Sequence, residues 1–253
     1  MTLTEALAAL AIAVIVSLAA FSLIEAVMKR TGETSSRVET TQRARQAMDN
    51  ITRDLRSQVC VLRTDGAPAM TTPRSVYSAS ATSITFFGDT SDESWKNGVG
   101  GPGSPTLRTI SLTGGTVNPT TNLLLGATIN ETIRPGAADS SVTGGITFAS
   151  TAGQTTRTEL SEAMPVKDAA GNDLPIFTYW TYDTATPPAT TVQLGASGAA
   201  LSDSEVAQIA RIRVNFRVLA AGKNTVRGST VIQDEITVRT VDPNSANPKP
   251  TCI

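Results

Sequence analysis

The chain has 253 residues, enough for one large domain or two small ones, and its 21 basic and 22 acidic side chains leave a net charge of -1. That balance lacks the basic face or stripe nucleic acid calls for, so no nucleic-acid partner is expected. Histidine is absent, which removes the commonest metal ligand and the usual general base near neutral pH.

The first element is apolar. From Ala6 to Ile24 there is no charge, no Gly and no Pro, and only Ser17 and Ser22 are polar. At 1.5 Å per residue this run is long enough to cross a bilayer core of about 30 Å. Its small residues, including Ala6, Ala9, Ala13 and Ala20, let neighbouring helices approach closely, so the surface suits helix against helix as well as helix against lipid. Glu25 and Lys29 then stand four apart, and after a polar stretch Ala44, Met48, Ile51, Leu55 and Val59 recur every three or four residues. Arg43, Arg45, Asp49, Arg53, Asp54 and Arg56 fill the other faces. If only Gly32 perturbs it, one helix is expected from about Thr4 to Val59, roughly 85 Å long. Its second half should pack its apolar stripe on a globular domain.

Glu5 sits at the entrance of the apolar run. A secretory signal peptide would have a basic leading region and a small-residue cleavage site, and this segment instead runs on into an amphipathic stripe. A plain membrane anchor leaves Glu5 without a purpose, at an insertion cost of up to about 3 kcal/mol.

Met1, Thr2, Leu3 and Glu5, followed by the apolar run, resemble the mature N-terminus of a type IV pilin or pseudopilin. In that family prepilin peptidase removes a short basic leader, so the resemblance implies that the numbering starts at the cleaved form. It further implies that Met1 is the processed and N-methylated residue. The helix would hold the subunit in the bacterial inner membrane until the assembly platform extracts it into an extracellular filament of identical or homologous subunits. Glu5 would pair with the Met1 amine of a neighbour and set the register, since each charge is costly to bury alone. Many major pilins carry Pro or Gly inside the apolar half, where the helix melts on assembly; this chain has neither before Gly32.

Beyond Cys60 the composition changes. The chain holds 38 Thr, 22 Ser and 19 Gly but only 4% aromatics, a mix that suits a β-rich extracellular head. Strands are expected at Ser83 to Phe87, Leu107 to Leu112, Gly145 to Ala149, Ile176 to Tyr182, Ala210 to Leu219 and Val231 to Thr240. Ile212, Val214, Phe216 and Val218 alternate with Arg211, Arg213, Asn215 and Arg217, and the last two strands should form an antiparallel hairpin under the helix stripe. The expected fold is therefore α+β: residues 1–30 an apolar membrane or filament-core helix, 31–60 its amphipathic continuation, 61–253 an antiparallel β-sheet head with long loops. Cys60 and Cys252 are the two cysteines. With too few ligands for zinc, and with Cys252 in a Pro- and Asn-rich tail that suits no buried thiol, a disulfide is the simplest reading, against two free thiols. The order long helix, TQRARQAMDNITRDLRS, IFTYWTYD, then an alternating hairpin near the C-terminus also resembles the large J-type minor pseudopilins and W-type minor pilins.

Other features carry less. Asp89, Asp92 and Glu93 in GDTSDESW do not have the spacing of a calcium loop, and NGVGGPGSP from Asn97 lacks the Lys of a phosphate loop. Arg43, Arg45, Arg53 and Arg56 with Asp49 and Asp54 read as a solvated or intersubunit salt-bridged face. Asn50 and Asn130 open glycosylation sequons, and the abundant Thr makes O-linked sugars a hypothesis. No paired-acid motif, nucleophile elbow or metal cluster appears, so no enzyme activity, metal or cofactor is expected. The reading is a filament subunit, the major pilin favoured. A minor pilin or pseudopilin of a pilus or type II secretion system is the first alternative, and a membrane-anchored extracellular binding domain the second.

Overall fold

A computed structural model of the chain describes residues 2–65, 70–88, 105–183, 190–195, 199–220, 225–226, 228–238 and 252. Helix α1 (Leu3–Arg56) spans 54 residues without a break, about 80 Å at the α-helical rise. Gly32 does not interrupt it, and nothing lies within 4 Å of where its Cβ would stand. The helix stops three residues before the expected Val59. There the Ser57 hydroxyl donates to the Asp54 carbonyl at 2.7 Å, while Arg53 and Arg56 place positive charge on the last turn, where the helix dipole favours it.

Short strands and hairpins follow: β1 (Leu62–Arg63), β2 (Val76–Ala79), β3 (Ser83–Gly88), β4 (Thr106–Val117), β5 (Leu124–Pro135), β6 (Ala137–Ala138) and β7 (Gly145–Thr147). The remainder is β8 (Thr155–Ser161), β9 (Ala163–Met164), β10 (Phe177–Asp183), β11 (Thr190–Leu194), the one-turn helix α2 (Asp203–Val206), β12 (Arg211–Val218) and β13 (Thr230–Thr237). The expected antiparallel head is present, as two five-stranded sheets rather than one. The first runs β2-β3-β4-β5-β8; the second runs β11-β10-β12-β13, with β9 pairing the far end of β12. A small third sheet, β1-β7-β6, contains the parallel pair β1 and β7.

The expected hairpin forms in the expected register phase, Ile212 opposite Ile236 and Phe216 opposite Ile232. Ile212, Val214, Phe216 and Val218 are fully buried. They share one core with Ala44, Met48, Ile51 and Leu55 of α1 and with Ile84, Phe86, Ile110 and Ile129 of the first sheet. The second half of α1 thus lies over both sheets. Val59, placed on the helix stripe by its spacing, instead joins a satellite cluster with Val61, Phe87, Leu107 and Phe148. That cluster is where the third sheet covers one end of the first sheet's outer face. Tyr179 ties the two large sheets together: its buried hydroxyl donates to the Ser80 carbonyl at 2.9 Å, and burial raises its pKa well above the ordinary tyrosine value.

Candidate assembly surface and its anchor in the head

The apolar half of α1 leaves the head entirely. Every large apolar side chain from Leu3 to Met28 is exposed, from 49% at Val14 to 82% at Leu3. A helix apolar all round cannot stand in water, so this surface needs lipid or other helices to cover it. Its hydroxyls ask for nothing further: Ser17 donates to the Ala13 carbonyl at 2.8 Å and Ser22 to that of Ala19 at 2.9 Å. Such back-bonding lets a hydroxyl sit in an apolar medium without an orphan donor. The helix is long and apolar enough to cross a membrane. Glu5 lies in the first turns of α1, its side chain outside the described atoms; Met1 also lies outside the described residues. The acidic loop with Asp89, Asp92 and Glu93 and the run from Asn97 to Ser104 fall outside them too.

At the other end, Cys60 and Cys252 form the expected disulfide, with Cα atoms 5.5 Å apart across a sequence separation of 192. It fastens the tail just beyond the last turn of the spine.

Between these ends the structure holds a charged cluster that the sequence did not announce. Asp54, expected on the solvated face with the helix arginines, is only 6% exposed and points into the first sheet. Its Oδ1 lies 3.2 Å from Nη1 of Arg108 on β4, and its Oδ2 lies 2.8 Å from Nη2 of Arg157 on β8. The same two guanidiniums clasp Glu131 on β5, Arg108 Nη1 at 3.2 Å and Arg157 Nε at 2.7 Å. Arg157 Nε also contacts Glu159, whose other oxygen accepts from Asn50 Nδ2 of α1 at 3.1 Å. Three carboxylates therefore share two arginines across one helix and three strands. A register shift between Ile129 and Asn130 in the β5–β8 pairing brings Arg157 directly opposite Glu131 and Glu159 beside it.

Glu131 has no solvent exposure. Burial, then repulsion from Asp54, raises its pKa from 4.5 to about 6 against the pull of Arg108 and Arg157, with Glu159 adding to the rise. Arg108 reaches the cluster by lying along β3, where a Cβ at Gly88 would stand 2.9 Å from its Cδ and Nε. A carboxyl enclosed in this way serves to fasten α1 to the sheet. No group of three or more acidic or cysteine side chains among the described residues is arranged to hold a metal.

The other singled-out residues are dispersed. Arg45, Arg53 and Arg56 remain exposed, and Arg43 Nε stands 3.9 Å from Glu39. Asn130 is tied into the first sheet, donating to Thr113 Oγ1 at 2.6 Å and accepting from Thr158 at 2.9 Å.

No family model matches the chain, and no curated protein matches it. What fold and site define is an α+β protein with one N-terminal helix able to cross a membrane, rooted in a disulfide-fastened β head.

Proposed function

We propose that this chain is a structural subunit of a type IV pilus-like filament, polymerising through α1, with the major-pilin role favoured. The observation that carries this reading is one unbroken helix whose first half exposes every large apolar side chain while its second half buries one apolar stripe in the head. Lipid covers the first half in the inner membrane before assembly, and neighbouring helices cover it in an extracellular filament afterwards. Met1, Thr2, Leu3 and Glu5 support the reading, because a carboxylate at this depth is tolerable when an ammonium meets it. Prepilin peptidase would free the Met1 amine, and Glu5 would pair with the amine of an adjoining subunit. The role involves no catalysis.

Glu5→Ala and Glu5→Gln variants test the pairing. Both are expected to reach the membrane at normal levels and to yield few or no filaments in electron micrographs of sheared material; normal assembly by both sinks it. Replacing residues 1–30 by an unrelated membrane anchor separates a pilin, which loses its function, from a tethered binding domain, which keeps it. Copy number in purified filaments separates major subunit from minor.

A further inference from the structure

Beyond filament assembly, the outer face of the first sheet carries a second surface. Thr85, Thr109, Thr132 and Thr156 stand in direct register across β3, β4, β5 and β8. Ser83, Ser111, Asn130 and Thr158 form the next row in the same way. Within the first row the hydroxyls pair, Thr85 with Thr109 and Thr132 with Thr156, both at 3.1 Å; in the second row Thr158 donates to Asn130 Oδ1 at 2.9 Å. Thr85 is buried, whereas the exposed Thr132–Thr156 pair keeps one hydroxyl proton and several lone pairs free for an outside partner. A solvated β face would account for the threonines; it does not require the two arginines that stand beside the first row.

There a cavity of about 200 Å³ opens at the step where the third sheet stops covering the first. Arg63, Arg134, Leu107, Tyr77, Thr109 and Thr132 are among the residues that line it. Arg63 is already neutralised, its Nε 2.8 Å from Asp65 Oδ1 and its guanidinium 4.4 Å over the Tyr77 ring. Arg134 is not. Its Nε and Nη2 donate to Gln154 Oε1 at 3.1 and 3.0 Å, and its Nη1 donates to the Phe148 carbonyl at 3.2 Å. Neutral oxygens therefore fix the guanidinium in place and leave its charge uncompensated among the described residues, with two of its five N–H groups still available. A fixed, uncompensated guanidinium in a partly enclosed site fits a carboxylate.

We propose that this face binds an acidic polysaccharide, with a uronic-acid unit in the cavity and its carboxylate on Arg134. The flanking pyranose units lie along the hydroxyl rows, whose strand-to-strand spacing of about 4.8 Å is comparable with the advance of one sugar ring. Thr109 and Thr132 bond the ring hydroxyls beside the carboxylate.

The test titrates the full chain in detergent with oligogalacturonate, oligomannuronate and neutral dextran. Binding of either uronate and not of dextran is expected, and the preferred uronate identifies the source of the glycan. Arg134→Gln should weaken binding by about tenfold or more, as for loss of a charge-assisted hydrogen-bond pair. Arg217→Gln, the same charge change on the second sheet, should leave binding unchanged. If Arg134→Gln lowers the melting temperature, Thr132→Val substitutes for it, with an expected loss of about fivefold for one neutral hydrogen bond. Failure of the wild type to bind either uronate overturns the proposal, as does equal binding of dextran. Equal weakening by both arginine variants, or wild-type binding by Arg134→Gln or its substitute, overturns it as well.

Discussion

The two halves of α1 share one backbone and one axis, yet they meet opposite surroundings. From Leu3 to Met28 every large apolar side chain is bare, whereas Ala44, Ile51 and Leu55 have no exposure at all. The difference lies in how apolar residues are arranged around the helix. The first half is apolar on all sides, so the head, which can touch only one, does not capture it. The second half confines its apolar residues to one stripe and leaves polar groups elsewhere, so it docks in a single orientation. The same continuous element thus ends as anchor in one half and as structural core in the other. Stability of the head should depend on the second half and be indifferent to the first.

The sharpest way to break that contrast is through the charged cluster. Arg108→Ala leaves Asp54, Glu131 and Glu159 sharing the guanidinium of Arg157, and removing one partner of a buried ion pair costs about 4 kcal/mol. Denaturant unfolding of the full chain in detergent, followed by intrinsic fluorescence, should show this as a lowered midpoint. Leu55→Ala comes next, at about 3 kcal/mol for a fully buried leucine whose cavity only partly closes. Its counterpart Leu10→Ala, at a site 65% exposed, should move the head's stability by no more than about 0.5 kcal/mol. Equal effects of the two leucine variants would show that the halves are not separate in the way their burial indicates.

The apolar side of this arrangement was legible in the sequence, and the charged side was not. The stripe Ala44, Met48, Ile51, Leu55 and the alternation Ile212, Val214, Phe216, Val218 follow helix and strand periods, and both are buried as those periods require. Strands β5 and β8 were missed for a physical reason. In β5 the inward positions read Ile129, Glu131, Ile133, and in β8 they include Arg157 and Glu159. A charge at an inward position breaks the alternation that marks a strand. Its partner, Asp54, looked like one more solvated helix residue because the arginines that bury it lie 54 and 103 residues later, at 108 and 157. The Arg134 cavity was hidden similarly, since it joins β1, β2, β3, β4 and β5. The disulfide was legible because only two cysteines exist to pair.

The prediction most specific to the charged side is a pH dependence, smaller than the loss expected from Arg108→Ala or Leu55→Ala. Glu131 has its pKa raised from 4.5 to about 6 by burial and by Asp54, and Asp54, Glu159, Arg108 and Arg157 are the charged groups that act on it. Between those two values the folded chain keeps a proton that the unfolded chain has released, so stability falls as pH rises through the window. Below about pH 4.5 the carboxyl is protonated in both states and costs nothing. Above about pH 6 it is ionised in both, and burying the charge costs ~2 kcal/mol, at about 1.4 kcal/mol for each tenfold change in proton affinity. Glu131→Gln removes the proton but keeps the shape, so it carries a fixed offset with no titration. Taking the wild-type minus variant difference in unfolding free energy cancels the slopes of the carboxylates that do not interact with Glu131. That difference should move by about 2 kcal/mol in the variant's favour between pH 4.5 and pH 7. A difference that stays flat would mean that the arginines fully compensate Glu131 and that its burial carries no electrostatic cost.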